Sequence, residues 1–158
     1  VIGWSHAPAR EGQRLRILGG FKLRELSEQE KTEIISRRWH WSGELNSGRY
    51  AQGKMSLHSI YDGKAKFCCL GVACNMTEVK KATGIFQKKD YLDAVYRYAD
   101  SYDGLQLPTA RAYMPKSVRR YFGISQDSQK ILAKLNDSDV SFEVIAGILT
   151  LLPIEVED

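Results

Sequence analysis

No stretch of this 158-residue chain stays apolar long enough to cross a bilayer. The longest such run, Val144 to Ile154, is broken by Thr150 and Pro153 and falls well short of the ~20 residues a spanning helix needs. The first ten residues include Trp4, His6, Pro8 and Arg10 and no apolar block, so no secretory signal is expected there. A membrane partner is therefore not expected. Cysteine is scarce: there are three, all between Cys68 and Cys74, two of them adjacent. An odd, clustered count does not make a disulfide framework and points to free thiols in a reducing compartment. Acidic residues are missing from Gly104 to Gln126, where Arg111, Lys116, Arg119 and Arg120 lie. Basic residues are missing after Lys134, where Asp137, Asp139, Glu143, Glu155, Glu157 and Asp158 accumulate. Internal repeats and low-complexity segments are absent too.

What is present reads as a single globular domain. A hydrophobic fraction of 43% with 27% charged residues suits a chain that buries one core. Residues 1–26, rich in Gly and Arg, read as an N-terminal arm with a short strand at Leu15–Leu18 that adds a third strand to a small sheet. The globular part is expected over 27–152, with an acidic tail at 153–158. Ser27-Glu28-Gln29-Glu30 is a capping box, and Ile34, Ile35, Trp39, Trp41 and Leu45 follow at helical spacing to Asn46-Ser47-Gly48. This predicts a helix over 28–46 with its tryptophans in the core.

Asp62-Gly63 between short extended runs predicts a β-hairpin. A two-residue loop pairs Tyr61 with Lys64, His58 with Phe67, Leu57 with Cys68 and Ser56 with Cys69. Cys69, Val72, Ala73 and Met76 then fall at i, i+3, i+4 and i+7, predicting a helix of roughly 69–82 ended by Gly84. Asp90 is a candidate cap for a helix over Tyr91–Ala99, and Asp103-Gly104 and Pro108 mark a loop. Pro115, Ser125 and Ser141 begin three short helices within 115–152, the first stopping at Gly123 and the last before Pro153. The fold class is α+β: mostly helical, with one hairpin. The expected core includes Trp39, Cys69, Val72, Met76, Ile131, Leu135, Phe142, Ile145 and Leu149.

Four patterns bear on chemistry. Zinc would want Cys pairs repeated, or completed by a His pair, whereas His6, His40 and His58 are scattered, so no metal is expected. A nucleophilic Cys68 or Cys69 beside His58 at a helix N-terminus is the enzymatic alternative, but the apolar flanks Phe67, Leu70, Val72 and Ala73 favour packed thiols. Gly48 to Lys54 matches G-x-x-x-x-G-K, yet Met55 replaces the Mg²⁺-binding hydroxyl and the strand–loop–helix order is reversed, so the phosphate-loop reading fails. Its Arg49, Tyr50, Gln52 and Lys54 are the first-choice contacts for an anionic ligand or acidic partner surface, on a turn opened by Gly48 and Gly53. Asn136 to Ser141 lacks the Gly and Glu of a calcium loop and reads as helix termination. Arg119 and Arg120, with Tyr113, Tyr121 and Phe122 nearby, form a second basic surface; nucleic-acid binding there is the minority reading, because the last helix is apolar and acidic.

Taken in order, Ser47-Gly48-Arg49-Tyr50-x-Gln52-Gly53, Phe67-Cys68-Cys69-Leu70-Gly71-Val72-x-Cys74, Leu135-Asn136-Asp137 and Phe142-x-x-Ile145-Ala146 resemble a group of small proteins encoded by tailed phages and prophages. The resemblance covers about residues 28–150 and leaves the arm outside. It implies a phage setting and carries no activity with it. The expectation is a non-enzymatic accessory protein without cofactor, in the cytoplasm of the infected host. It would bind a host protein or a small anionic ligand, for instance to blunt a defence. A cysteine-dependent enzyme, a virion component and a small DNA-binding protein are the alternatives.

Overall fold

The structure, a computed structural model, describes residues 16–18, 21–61, 63–77, 80–84, 94–99 and 112–158. Helix α1 (Glu28–Asn46) starts where the capping box places it: the Ser27 hydroxyl accepts from the Glu30 amide, and the Glu30 carboxylate accepts from the Ser27 amide. Strands β3 (His58–Tyr61) and β4 (Lys64–Phe67) form the expected hairpin with His58 opposite Phe67 and Tyr61 opposite Lys64. Gly63 adopts φ +70° at the tip; Asp62 lies outside the described residues. The Cys68 amide donates to the Leu57 carbonyl at 3.3 Å, after which the chain turns into α2 (Cys69–Asn75) and no strand partner is left for Ser56.

The fold is α+β, with more helix than strand among the described residues. The sheet is larger than the sequence suggests. β5 (Lys80–Gly84) and β6 (Ala94–Ala99) join the hairpin in the order β4-β3-β6-β5, antiparallel throughout. Two expectations are corrected here. Helix α2 ends at Asn75 instead of continuing to 82, and Lys80–Gly84 pairs with β6 as a strand in its place. Ala94–Ala99 is a strand between β3 and β5, where Val95, Tyr96 and Tyr98 suit a sheet better than a helix. The proposed Asp90 cap, Tyr91–Leu92 and the loop around Pro108 lie outside the described residues. The arm adds no strand to this sheet either: β1 (Arg16–Leu18) and β2 (Phe21–Leu23) pair with each other.

Three helices complete the described chain: α3 (Lys116–Phe122), α4 (Gln126–Asp137) and α5 (Phe142–Leu149), the last two capped by Ser125 and Ser141. Segment 153–158 is not a loose acidic tail. Arg24 donates its amide to the Val156 carbonyl, Asp158 donates to Lys22, and Glu157 is buried against Arg119. No helix among the described residues is long and apolar enough to cross a membrane.

The core centres on α2, whose residues Cys69 to Cys74 are all buried, so this short helix is apolar on every side. Gly71 is required there, because a Cβ would overlap the Leu57 carbonyl oxygen. Cys69, Val72, Phe142, Ile145 and Leu149 are buried as expected, and Met76 and Leu135 pack partly buried against the same core. Trp39 and Ile131 are corrections: they are 65% and 50% exposed. In α1 the inward stripe is Ile34, Arg38, Trp41, Ser42 and Leu45. Arg38 can occupy it because its guanidinium meets a ring of backbone carbonyls: Phe122 at 2.8 Å, Gly123 at 2.6 Å, Leu149 at 3.5 Å, Leu152 at 2.6 Å and Pro153 at 2.7 Å. Burial pulls its pKa down to about 10, with Glu155 opposing, so it stays cationic at neutral pH while closing the C-terminal ends of α3 and α5.

Candidate functional site

The segments singled out by sequence meet at one junction, formed by the 48–56 turn, the start of α2 and the end of α4. Its centre is Asn136, which is fully buried. The Asn136 Oδ1 accepts from the Cys69 amide at 3.1 Å and from Gln52 Nε2 at 3.2 Å, while Nδ2 donates to the Gly53 carbonyl at 2.7 Å. One amide side chain thus caps the first turn of α2 and holds the turn in place. Gln52 completes the lock: it donates to the Val140 carbonyl at 2.7 Å and accepts from the Phe142 amide at 3.2 Å. The Gly53 amide and Phe67 carbonyl pair at 2.7 Å, and the Phe67 amide donates to Ala51 at 2.9 Å, so the turn also covers part of the open edge of β4.

The four first-choice contact residues are therefore brought together, each with an internal partner. Arg49 pairs with Glu44 and Lys54 with Asp139. The Tyr50 hydroxyl accepts from Asn75 at 3.0 Å, and its ring meets Phe67 edge-on at 5.0 Å. Gln52 is the most committed of the four. An anion at this turn would have to displace two carboxylates. The second basic surface is reduced further. Arg119 is buried in an ion pair with Glu157 at 2.8 Å, and Arg120 Nε donates to the Glu157 carbonyl at 3.2 Å. The neutralising carboxylate missing from 104–126 is supplied by the C-terminal segment, whose other Glu157 oxygen caps α4 at the Gln126 amide.

The thiols are packed. None of Cys68, Cys69 and Cys74 is in a disulfide, and all three are buried. Burial pushes the Cys68 thiol up to about 12, against backbone amides of Gly71 and Leu70 that favour the thiolate. Burial, with Cys68 alongside, pushes Cys69 well above the ordinary thiol value. Cys69 Sγ also donates to the Leu132 carbonyl at 3.6 Å. His58 is buried and stacks on Phe67 at 4.0 Å between centroids. No cluster of three metal-ligating side chains occurs among the described residues.

The sequence reading missed the most unusual backbone at this junction. Met55 and Asp139 both have positive φ, 62° and 66°, without being glycine. Met55 is held there by its amide, which donates to Asp137 Oδ1 at 2.9 Å, yet its side chain is 74% exposed. It borders a cavity of about 180 Å³ walled also by Ser56, Cys68, Ala112, Tyr113, Ala133 and Asp137. The only prior signal was Asn136 falling four residues after Leu132, a polar residue on the stripe that α4 turns inward. The junction positions and shields its polar groups; what it presents outward is a recess whose described lining is mainly apolar and includes the Asp137 carboxylate.

No curated protein and no solved structure matches the chain. A family model spans 31–151, which takes in α1 from Lys31 onward, the whole junction and α5 and leaves out the β1–β2 arm. The chain belongs to the family described as Domain of unknown function (DUF8296).

Proposed function

We propose that this chain is a non-enzymatic accessory protein of a tailed phage that acts in the infected host by binding a host protein. The observation that carries this reading is Met55. A left-handed backbone at a non-glycine residue costs about 1–2 kcal/mol, and here it holds an exposed, flexible thioether beside an apolar recess. Adaptable methionine at the mouth of such a recess suits an apolar side chain from a partner. Among the described residues the lining has no cation, which favours a partner protein over a small anion. The buried thiols support a binding role over a catalytic one, since almost no Cys68 thiolate exists at neutral pH.

The test is Met55→Gly, which relieves the positive φ and removes the side chain. The variant should melt no lower than the wild type, yet fail to retain the protein that the wild type captures from infected cells and then binds after both are purified. Equal retention by both would reject this surface. The enzymatic alternative is checked by alkylating the native protein near pH 6. Slow labelling is expected, and fast labelling of Cys68 or Cys69 would restore it. Because the folded state holds the Cys68 proton more tightly than a free thiol, its stabilising contribution is complete below pH 9.0 and is lost as pH rises towards about 12.

A further inference from the structure

Helix α1 has three faces, and only two have a role so far. The buried face carries Ile34, Arg38, Trp41 and Leu45. A second face carries Glu33, Arg37, His40 and Glu44, paired at i,i+4. The third, Thr32, Ile35, Ser36, Trp39 and Gly43, repeats at i, i+3, i+4, i+7 and i+11, is exposed throughout and has no charge. Ser42 Oγ donates to the Ala146 carbonyl at 2.7 Å and ties α5 alongside. Between α1 and the segment that follows α5 runs a groove of about 200 Å³, walled by Ile35, Trp39, Thr150, Leu152 and Ile154, with Arg38 beneath. Beside it Leu151 is 83% exposed. Gly43 and Gly147 sit inside these helices with nothing within 4 Å of where a Cβ would stand. Alanine would fit at both and favour helix; glycine leaves bare backbone for a close neighbour.

We infer that this α1–α5 face is where a second copy of the chain docks. Charge decides between occupants. Nucleic acid and anionic lipid both need cations, and neither the third face of α1 nor the exposed side of α5 supplies one; Glu143 is the one charged residue in α5. A face with a projecting Leu151 and an adjoining recess carries both halves of a two-fold contact, in which each copy's Leu151 enters the other's groove. Pairing this face with itself brings together no like charges along α1, on a chain whose net charge of +4 otherwise opposes self-association. The charge-free surface with an exposed tryptophan has the composition of an interface centre. It shares no residue with the Met55 recess, so either reading can fail alone.

The experiment is sedimentation of the purified full chain over a concentration series. The wild type should shift from monomer to dimer as concentration rises. Leu151→Asp should stay monomeric at every concentration, with unchanged circular dichroism and melting temperature because the side chain is exposed; Trp39→Ser repeats the test if that variant misfolds. A wild type that remains monomeric at its highest soluble concentration overturns the proposal, including if it then assembles only with a different protein. A dimer unaffected by the folded variant overturns it equally.

Discussion

At the junction of the 48–56 turn with α2 and α4, polar side chains are turned into the protein and bonded there. Along the outer strip of α1 and α5, apolar side chains and bare glycine backbone face solvent. The first region looked functional because it is dense in Gly, Arg, Gln, Cys and Asn-Asp. Its density has a mechanical cause: a turn, a helix start and a helix end must be joined where water is excluded, so each backbone group needs a side-chain partner. The second region looked like core because it holds Trp39. Motif density at the first marks fixed geometry, whereas unpaired apolar surface at the second marks a place to be covered.

The comparison breaks first at Gly71. If the junction is as rigid as its bonding implies, Gly71→Ala has nowhere to place its Cβ against the Leu57 backbone. It should lose more than about 4 kcal/mol, enough to remove a cooperative transition from a marginally stable domain. A thermal melt within a few degrees of the wild type would mean that α2 can slide away from β3. A smaller loss is expected at Asn136→Leu. This leaves the Cys69 amide and Gly53 carbonyl without partners inside the protein, for about 2–4 kcal/mol in urea denaturation. Asn136→Asp keeps the acceptor and should fall between that variant and the wild type. A fully stable Asn136→Leu would show that the junction's bonds are replaceable by packing alone.

The smallest effect sharpens the boundary of the junction. Arg49→Ala with Lys54→Ala removes two exposed ion pairs, to Glu44 and Asp139. The double variant should lose no more than about 1 kcal/mol, less still in high salt. A larger, salt-independent loss would place those cations within the rigid junction and not at its rim.

Much of the fold was legible because its signals are local. The Ser27 capping box, the Ser125 and Ser141 caps and the Asp62-Gly63 turn each act over a few residues, and the helix starts and hairpin register follow from them. The candidate site was legible only as a set of residues. That Arg49, Tyr50, Gln52 and Lys54 lie together is a matter of chain order; that their partners are Glu44, Asn75, Asn136 and Asp139 is not. Met55 gave no sign of its strain, because the Asp137 bond that holds it comes from a residue 82 positions away.

The sequence by itself determined where most of the described helices begin, where the hairpin turns, that no apolar run is long enough to span a bilayer and that the cysteines suit packing. Only the tertiary structure decided that Arg38 turns inward and Trp39 outward, that Ala94–Ala99 is a strand, and that the C-terminal segment neutralises Arg119. Local periodicity would have buried the tryptophan. The carbonyls of α3, α5 and the segment that follows, more than eighty residues downstream, give the guanidinium partners that water would otherwise supply.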